Sequence, residues 1–357
     1  MLFINADEVS VLPIFNHEKE GKMRKRFMAG WKAFCIGAAS LSLVLGIVVM
    51  GNAVHAAAPY PDRPIKLIVP NEAGADADVL IRQLAQRVAA LLDKPIMIVN
   101  KPGGGSSIGM REVHDSKPDG YTIGMSHATI LINKPMGNMP YDHEGFTVLG
   151  TYATFIPIIV GATKTARPFK TIQEVLAFAK AKPGEVSIAT SGVGQSWWVA
   201  TLEFQEGTGA RFNIIPQAGT GAYAIAQAAG GHTDLAVVAV AAAKSQIEGG
   251  LVRFLAIFGS KKFPGYENVP TMKEAGYNVN WESTQILIGP PGMPKEAVDK
   301  LVKAFEVASN EPEFKKFLVS RGAFPFYLPP DKAVAFFDDQ RKVVQGVMEK
   351  AGILKSK

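Results

Sequence analysis

This 357-residue sequence predicts an α/β fold whose sheets are mainly parallel and flanked by helices, and three observations predict it. Short apolar, strand-like runs alternate with helical-period patterns along the chain, the signature of strand–helix–strand units. Glycine-bearing loops follow predicted strands in both halves of the chain. Beyond an N-terminal apolar segment, roughly 300 residues remain, enough to bury a large core and usually to divide into two domains.

Taken in order, the N-terminus reads as a targeting segment. Met23-Arg-Lys-Arg-Phe27 is cationic, Ala33 to Met50 is apolar, and Val54-His-Ala56 places small residues at a cleavage site. Residues 1–56 are thus expected to be an N-terminal extension and signal peptide. Met1 and Met23 both stand as starts, and an uncleaved anchor is the alternative to cleavage. Cys35 is the only cysteine, so a cleaved chain has no disulfide, no thiolate chemistry and no Cys-based metal site. Residues 1–56 hold 6 Lys/Arg and 4 Asp/Glu, which leaves 32 basic against 28 acidic side chains in the remainder. That mild, interspersed balance gives no footprint for nucleic acid.

The first strand is Ile65, Leu67, Ile68 and Val69, stopped at Pro70 and followed by the loop Asn71-Glu-Ala-Gly-Ala-Asp-Ala-Asp78. Leu80, Leu84, Val88, Leu91 and Leu92 then mark one face of a helix, with Asp78 as its expected N-cap. Pro95–Val99 is a strand running into Asn100-Lys-Pro-Gly-Gly-Gly-Ser-Ser-Ile-Gly109, and Tyr121–Met125 is the next. Thr171-Ile-Gln-Glu174 is a capping box opening a helix with Val175, Leu176 and Phe178. Val186–Thr190, Phe212–Pro216, Asp234–Val240, Phe254–Phe258 and Gln285–Gly289 read as further strands. The tail is helical, with Pro294 in the first turn of one helix and Asp331 capping another.

Four glycine-bearing loops therefore follow strands, around 71–78, 103–109, 191–196 and 217–222. Ligands of open α/β sheets bind at the carboxyl ends of strands, and a helix N-terminus there seats an anion on unpaired N–H groups. Glu72 conflicts with an anion seat: either it points to solvent or it meets a donor on the ligand, such as an ammonium, amide or hydroxyl. Nucleotide signatures fail, because Ile108 stands where a third glycine belongs and Met110-Arg111 replaces the Lys-Ser/Thr of a P-loop. No GxSxG elbow surrounds Ser191 or Ser196. The histidines lack metal-ligand spacing, and Asp76 with Asp78 lacks the rest of an EF-hand. His127 alone follows a strand directly, where it could face a cleft. Tandem Trp197-Trp198 opens a predicted helix, where at most one ring can reach that cleft.

At these positions the chain resembles the Bug family, the periplasmic solute receptors of tripartite tricarboxylate transporters, over nearly all of 60–357. Tyr60-Pro-Asp-Arg-Pro-Ile-Lys-Leu-Ile-Val-Pro70 resembles the family opening. Gly74, Asp78 and Arg82 follow at the spacing of "GGxxDxxAR", Asn100–Gly109 is similar to "NxPGAGGxIG", and Pro118–Thr122 matches "PDGYT". Gly192 and Gly194, Pro216 and Gly219, Gly230-Gly231 with Asp234-Leu235, and Val269–Gly276 continue the series. The resemblance implies a two-lobed, Venus-flytrap binding protein in the periplasm. One lobe is expected at 60–125 plus 256–357 and the other at 126–255. It implies a small carboxylated solute, membrane permease subunits as partners, a monomer, and no catalytic residues, metal or cofactor. The rival readings are a ligand-sensing receptor for a membrane sensor and an enzyme on the same scaffold.

The ligand residues expected from the first half are Asn71, Glu72, Ala73, Gly74, Asp78, Ser126 and His127. Those expected from the second are Thr190, Ser191, Gly192, Gly194, Gln195, Ser196, Trp198, Gly219 and Thr220. The family usually has an aromatic and a small residue at Asn71 and Glu72, and a second glycine at Ala75. Its small polar "GxGSxSH" loop is Gly192-Val-Gly-Gln-Ser-Trp-Trp198 here, and the Tyr-Lys of "VPYKG" is Gln217-Ala218. Val238 stands where an Asp is common. These departures point to a bulkier carboxylate, aromatic or nitrogen-bearing.

Overall fold

The computed structural model describes residues 59–217 and 221–354. The expected signal peptide, and Gly219 and Thr220, lie outside the described residues. The strands, in chain order, are β1 (Ile65–Val69), β2 (Ile96–Asn100), β3 (Thr122–Ser126), β4 (Thr147–Phe155), β5 (Pro157–Ala162) and β6 (Ser187–Thr190). They continue with β7 (Asn213–Pro216), β8 (Leu235–Ala239), β9 (Val252–Ile257), β10 (Ser283–Gly289) and β11 (Phe324–Pro325). The helices are α1 (Asp76–Leu92), α2 (Ser107–His114), α3 (Thr129–Ile132), α4 (Ile172–Ala181) and α5 (Ser196–Thr208). After them come α6 (Gly221–Ala229), α7 (Val240–Glu248), α8 (Lys295–Asn310), α9 (Pro312–Ser320) and α10 (Pro330–Lys350).

Two sheets carry the fold, ordered β11-β4-β10-β3-β1-β2 and β7-β6-β8-β5-β9. β1 lies parallel between β2 and β3, and β6 lies parallel between β7 and β8. β10 is antiparallel to β3 and β4, and β5 is antiparallel to β8 and β9. The sheets are therefore mixed. The parallel pairs are the ones joined by helical crossovers. The antiparallel strands β5 and β10 are those by which the chain enters one sheet after leaving the other, with only Ile156 between β4 and β5. β4, which the sequence did not reveal as a strand, hydrogen-bonds in the first sheet although the expected second lobe began at 126. The chain thus changes sheet at Ile156, and again between Ile257 and Ser283.

Burial explains the local choices. All of β1 except Lys66 is buried, as a strand covered on both faces requires. α1 buries Leu80, Ile81, Leu84, Ala85 and Val88 as one stripe, while Leu91, expected on that stripe, is exposed. The Thr171 hydroxyl accepts from the Glu174 N–H at 3.2 Å, so the expected cap forms, while the Glu174 carboxylate accepts from the Lys170 N–H at 2.7 Å, one residue before the N-cap that a full capping box would use. Two expected caps are displaced. Pro329, not Asp331, flanks α10, and Ala75, not Asp78, flanks α1.

Candidate functional site

Asp78 illustrates how the loop after β1 is held. It lies in the first turn of α1, buried, and its Oδ2 accepts from the Gly74 N–H and from Arg82 Nε, each at 2.8 Å. Its Oδ1 accepts from Asn100 Nδ2 at 2.8 Å, and the same amide nitrogen donates to the Asn71 carbonyl at 3.0 Å. Burial alone would raise the Asp78 pKa, but the hydrogen bonds from Arg82, Asn100 and Gly74 outweigh it and hold the carboxyl below its ordinary value. Asp78 thus fixes the loop's path. Gly74 serves the same turn, at φ +83°.

That loop forms one wall of a cavity of about 350 Å³. From the first sheet come Pro70 to Glu72 and Ala75 to Ala77 after β1, Pro102 to Ser106 after β2, and His127 after β3. Phe155 from β4 and Ser283 and Gln285 from β10 complete that side. From the second sheet come Ser191 to Val193 and Gln195 to Trp197 after β6, Gly221 at the start of α6, and Ala239 at the end of β8. The loops meet at the rim: a Cβ on Gly105 (φ +62°) would lie 3.8 Å from the Gly194 carbonyl oxygen and 3.3 Å from Asn133 Oδ1.

Five helices begin at this cavity: α1, α2, α5, α6 and α7. The residues flanking α1, α2, α5 and α7 (Ala75, Ser106, Gln195 and Ala239) make no side-chain cap. Apart from the Trp198 N–H, which Ser191 Oγ accepts, first-turn N–H groups left without side-chain caps can seat an anion on backbone alone.

The structure divides the expected ligand residues. Asn71, Glu72, His127, Ser191, Gly192, Gln195 and Ser196 line the cavity; Ala73, Gly74, Asp78, Ser126, Thr190, Gly194 and Trp198 do not. The Ser126 hydroxyl is buried against Met110 Sδ at 3.0 Å, and Thr190 Oγ1 accepts from Thr201 Oγ1 at 3.1 Å inside the second sheet's core. Trp198 is buried, and Trp197 takes the wall position instead, since consecutive residues on α5 face different directions. The sequence reading missed Asp76, Gln285, Ser283, Phe155 and Ala239. Only Asp76 carried a signal, as an acid at a loop–helix junction. The strand residues needed knowledge of which sheet face turns inward.

The polar groups are arranged for binding. Ser191 Oγ accepts from the Trp198 N–H at 3.2 Å, and Ser196 Oγ accepts from the Trp281 indole at 3.0 Å. His127 is buried, which pushes its pKa down to about 4 and leaves the ring neutral at physiological pH. Its Nδ1 faces Thr129 Oγ1 at 3.3 Å. Among the described residues, none of the four cavity serines (Ser106, Ser191, Ser196 and Ser283) hydrogen-bonds a histidine, as a nucleophile–base pair would require. No group of three or more His, Cys, Asp or Glu among them is placed to hold a metal.

Comparison with known proteins agrees with this arrangement. A family model described as tripartite tricarboxylate transporter family receptor matches residues 80–353. Protein BugT of Bordetella pertussis is 29% identical over 319 residues, covering 87% of this chain and 97% of its own. The solved periplasmic binding protein BugD is 28% identical, with a TM-score of 0.73 over 83% of this chain and 100% of its own. An R. palustris protein solved with adipate shares the fold at 24% identity, with a TM-score of 0.74 over 83% of this chain and 99% of its own.

Proposed function

This chain belongs to the family of tripartite tricarboxylate transporter receptors, and from that premise we propose that it is exported and captures a small carboxylated solute between its two sheets. Members of the family are periplasmic binding proteins. The observation that carries the reading is the convergence of helix N-termini from both sheets on one cavity. A carboxylate there accepts hydrogen bonds from backbone donors, without needing a basic side chain.

The mechanism follows from the connections. The chain passes between the sheets at Ile156 and again over the segment between Ile257 and Ser283, so two connections join two bodies, one built on each sheet. A solute contacting both walls favours the closed arrangement by its differential affinity for it, a hinge closure around the ligand. The receptor, a monomer without catalytic activity, then presents the closed form to membrane permease subunits, which carry out transport. The adipate bound by the R. palustris relative is one example of the chemical class.

A thermal-shift screen of the solute-free protein against aliphatic and aromatic carboxylates tests this. Saturation at about 100 times Kd adds roughly 2.7 kcal/mol, and one or a few acids should therefore raise Tm by about 5 °C or more. No shift across a broad library would remove the basis for the proposal.

A further inference from the structure

The first sheet's wall of the cavity carries acceptor side chains from two places, the loop after β1 and strand β10. Glu72 and Asp76 both line the cavity, and among the described residues no Lys or Arg does. Residues 218–220, which precede Gly221 in the sequence, are Ala-Gly-Thr and carry no charge. Gln285 is 1% exposed, and its Nε2 donates to the Ser283 carbonyl at 2.9 Å, which fixes the amide's orientation. Its Oε1 is buried and has no partner among the described residues, and the same holds for Asn71 Oδ1. A buried acceptor without a donor costs about 1–3 kcal/mol, so a ligand donor that reaches either amide oxygen is favoured. An acid in a helix's first turn is favourable in itself, and that accounts for Asp76. It does not account for Glu72, which precedes the helix, or for the amide oxygens of Asn71 and Gln285.

The opposite wall differs in its side chains. Ser191 to Trp197, Gly221 and Ala239 bring the N-termini of α5, α6 and α7 to the cavity with no acidic side chain. All the acidic side chains of the cavity therefore come from the first sheet's wall, whose own helix N-termini (α1 and α2) also face it, while the second sheet's wall offers backbone donors without acids. We propose that the solute is an amino-carboxylate. Its carboxylate sits on the helix N-termini of the second sheet, and its N–H-bearing cation sits at Glu72 and Asp76 with the amide oxygens of Asn71 and Gln285. Trp197, which also lines the cavity, supplies an aromatic ring that a cation can engage. Burial raises the Asp76 pKa despite the opposing field of Arg321, and a bound cation would pull it back down. A dicarboxylate of the same length would instead set its second anion against two carboxylates.

This assignment rests on the receptor reading, and the test separates the two. Isothermal titration would compare dicarboxylates with amino-carboxylates of equal chain length, 6-aminohexanoate beside adipate among them, on the wild type, Glu72→Gln and Asp76→Asn. Amino-carboxylates should bind the wild type, and each substitution should weaken them by at least about tenfold while tightening the dicarboxylates. Glu72 is exposed, so Glu72→Gln decides the matter if Asp76→Asn does not fold. Dicarboxylates binding the wild type at least as well, or unchanged amino-carboxylate affinity in Glu72→Gln, would overturn the assignment and leave the receptor reading standing. Binding of neither series would overturn both.

Discussion

Glu203 shows how much one side chain can reveal when it is buried without a charge partner. It lies on α5, nearly inaccessible, and its Oε1 accepts from the Asn280 N–H at 3.0 Å while Oε2 is unpartnered among the described residues. Burial pushes its pKa up to about 7, and the backbone N–H groups of Asn280 and Trp281 offset that only in part. Because the folded pKa exceeds the unfolded one, the acid's contribution to stability is complete below about pH 4.5 and is lost as pH rises toward 7. The loss amounts to about 3 kcal/mol. Glu203→Gln keeps an acceptor for Asn280 and cannot ionise, so it should be more stable than wild type at pH 8 by up to that amount. Urea unfolding at pH 5 and pH 8 checks this, and an equal difference at both values would place the titration elsewhere. Sequence alone showed no sign of Glu203, because its burial depends on the segment after β9 returning over α5.

At the scale of elements, α5 makes the sharpest distinction between lining and core. Trp197 and Trp198 are neighbours in sequence, yet one ring is part-exposed in the cavity wall and the other is 8% exposed in the core. Trp198→Ala should therefore cost about 3–5 kcal/mol of stability, whereas Trp197→Ala should leave folding nearly intact and weaken solute binding. Parallel melting curves and titrations of the two variants check the contrast; equal losses of stability would refute the division. Helix starts were partly legible at this scale. Thr171 caps its helix through the Glu174 N–H because both partners of that cap are local in sequence. Asp78 and Asp331 were shifted into the first turns of α1 and α10, and Asp78 bonds Asn100, 22 residues away, a partner that no local pattern names.

For the molecule as a whole, the strands alternating with helices were readable and the strands joining the two sheets were not. β1, β2, β3, β6, β7, β8, β9 and β10 all fall on runs that the sequence marked. β4 and β5 escaped because nearly every residue of Thr147–Ala162 is buried, which erases the period-two signal. A single residue, Ile156, separates them, so no turn announces the break. That junction decides where one sheet ends and the other begins, and hence which loops face each other across the cavity. The family motifs supplied the scaffold, while the cavity's polarity emerged only when Gln285 of β10 was placed in the same cavity as Glu72 and Asp76.

Calorimetric titration of the wild type and a blocked cavity tests the account most directly. Gln195 lines the cavity, is part-exposed and caps nothing through its side chain, so Gln195→Trp should fill the space without unfolding the protein. The wild type should bind the solute selected by the thermal screen at one site per chain, and Gln195→Trp, with an unchanged melting temperature, should bind none. Equal binding by both proteins would mean that the solute sits elsewhere and that this cavity is not the receptor site.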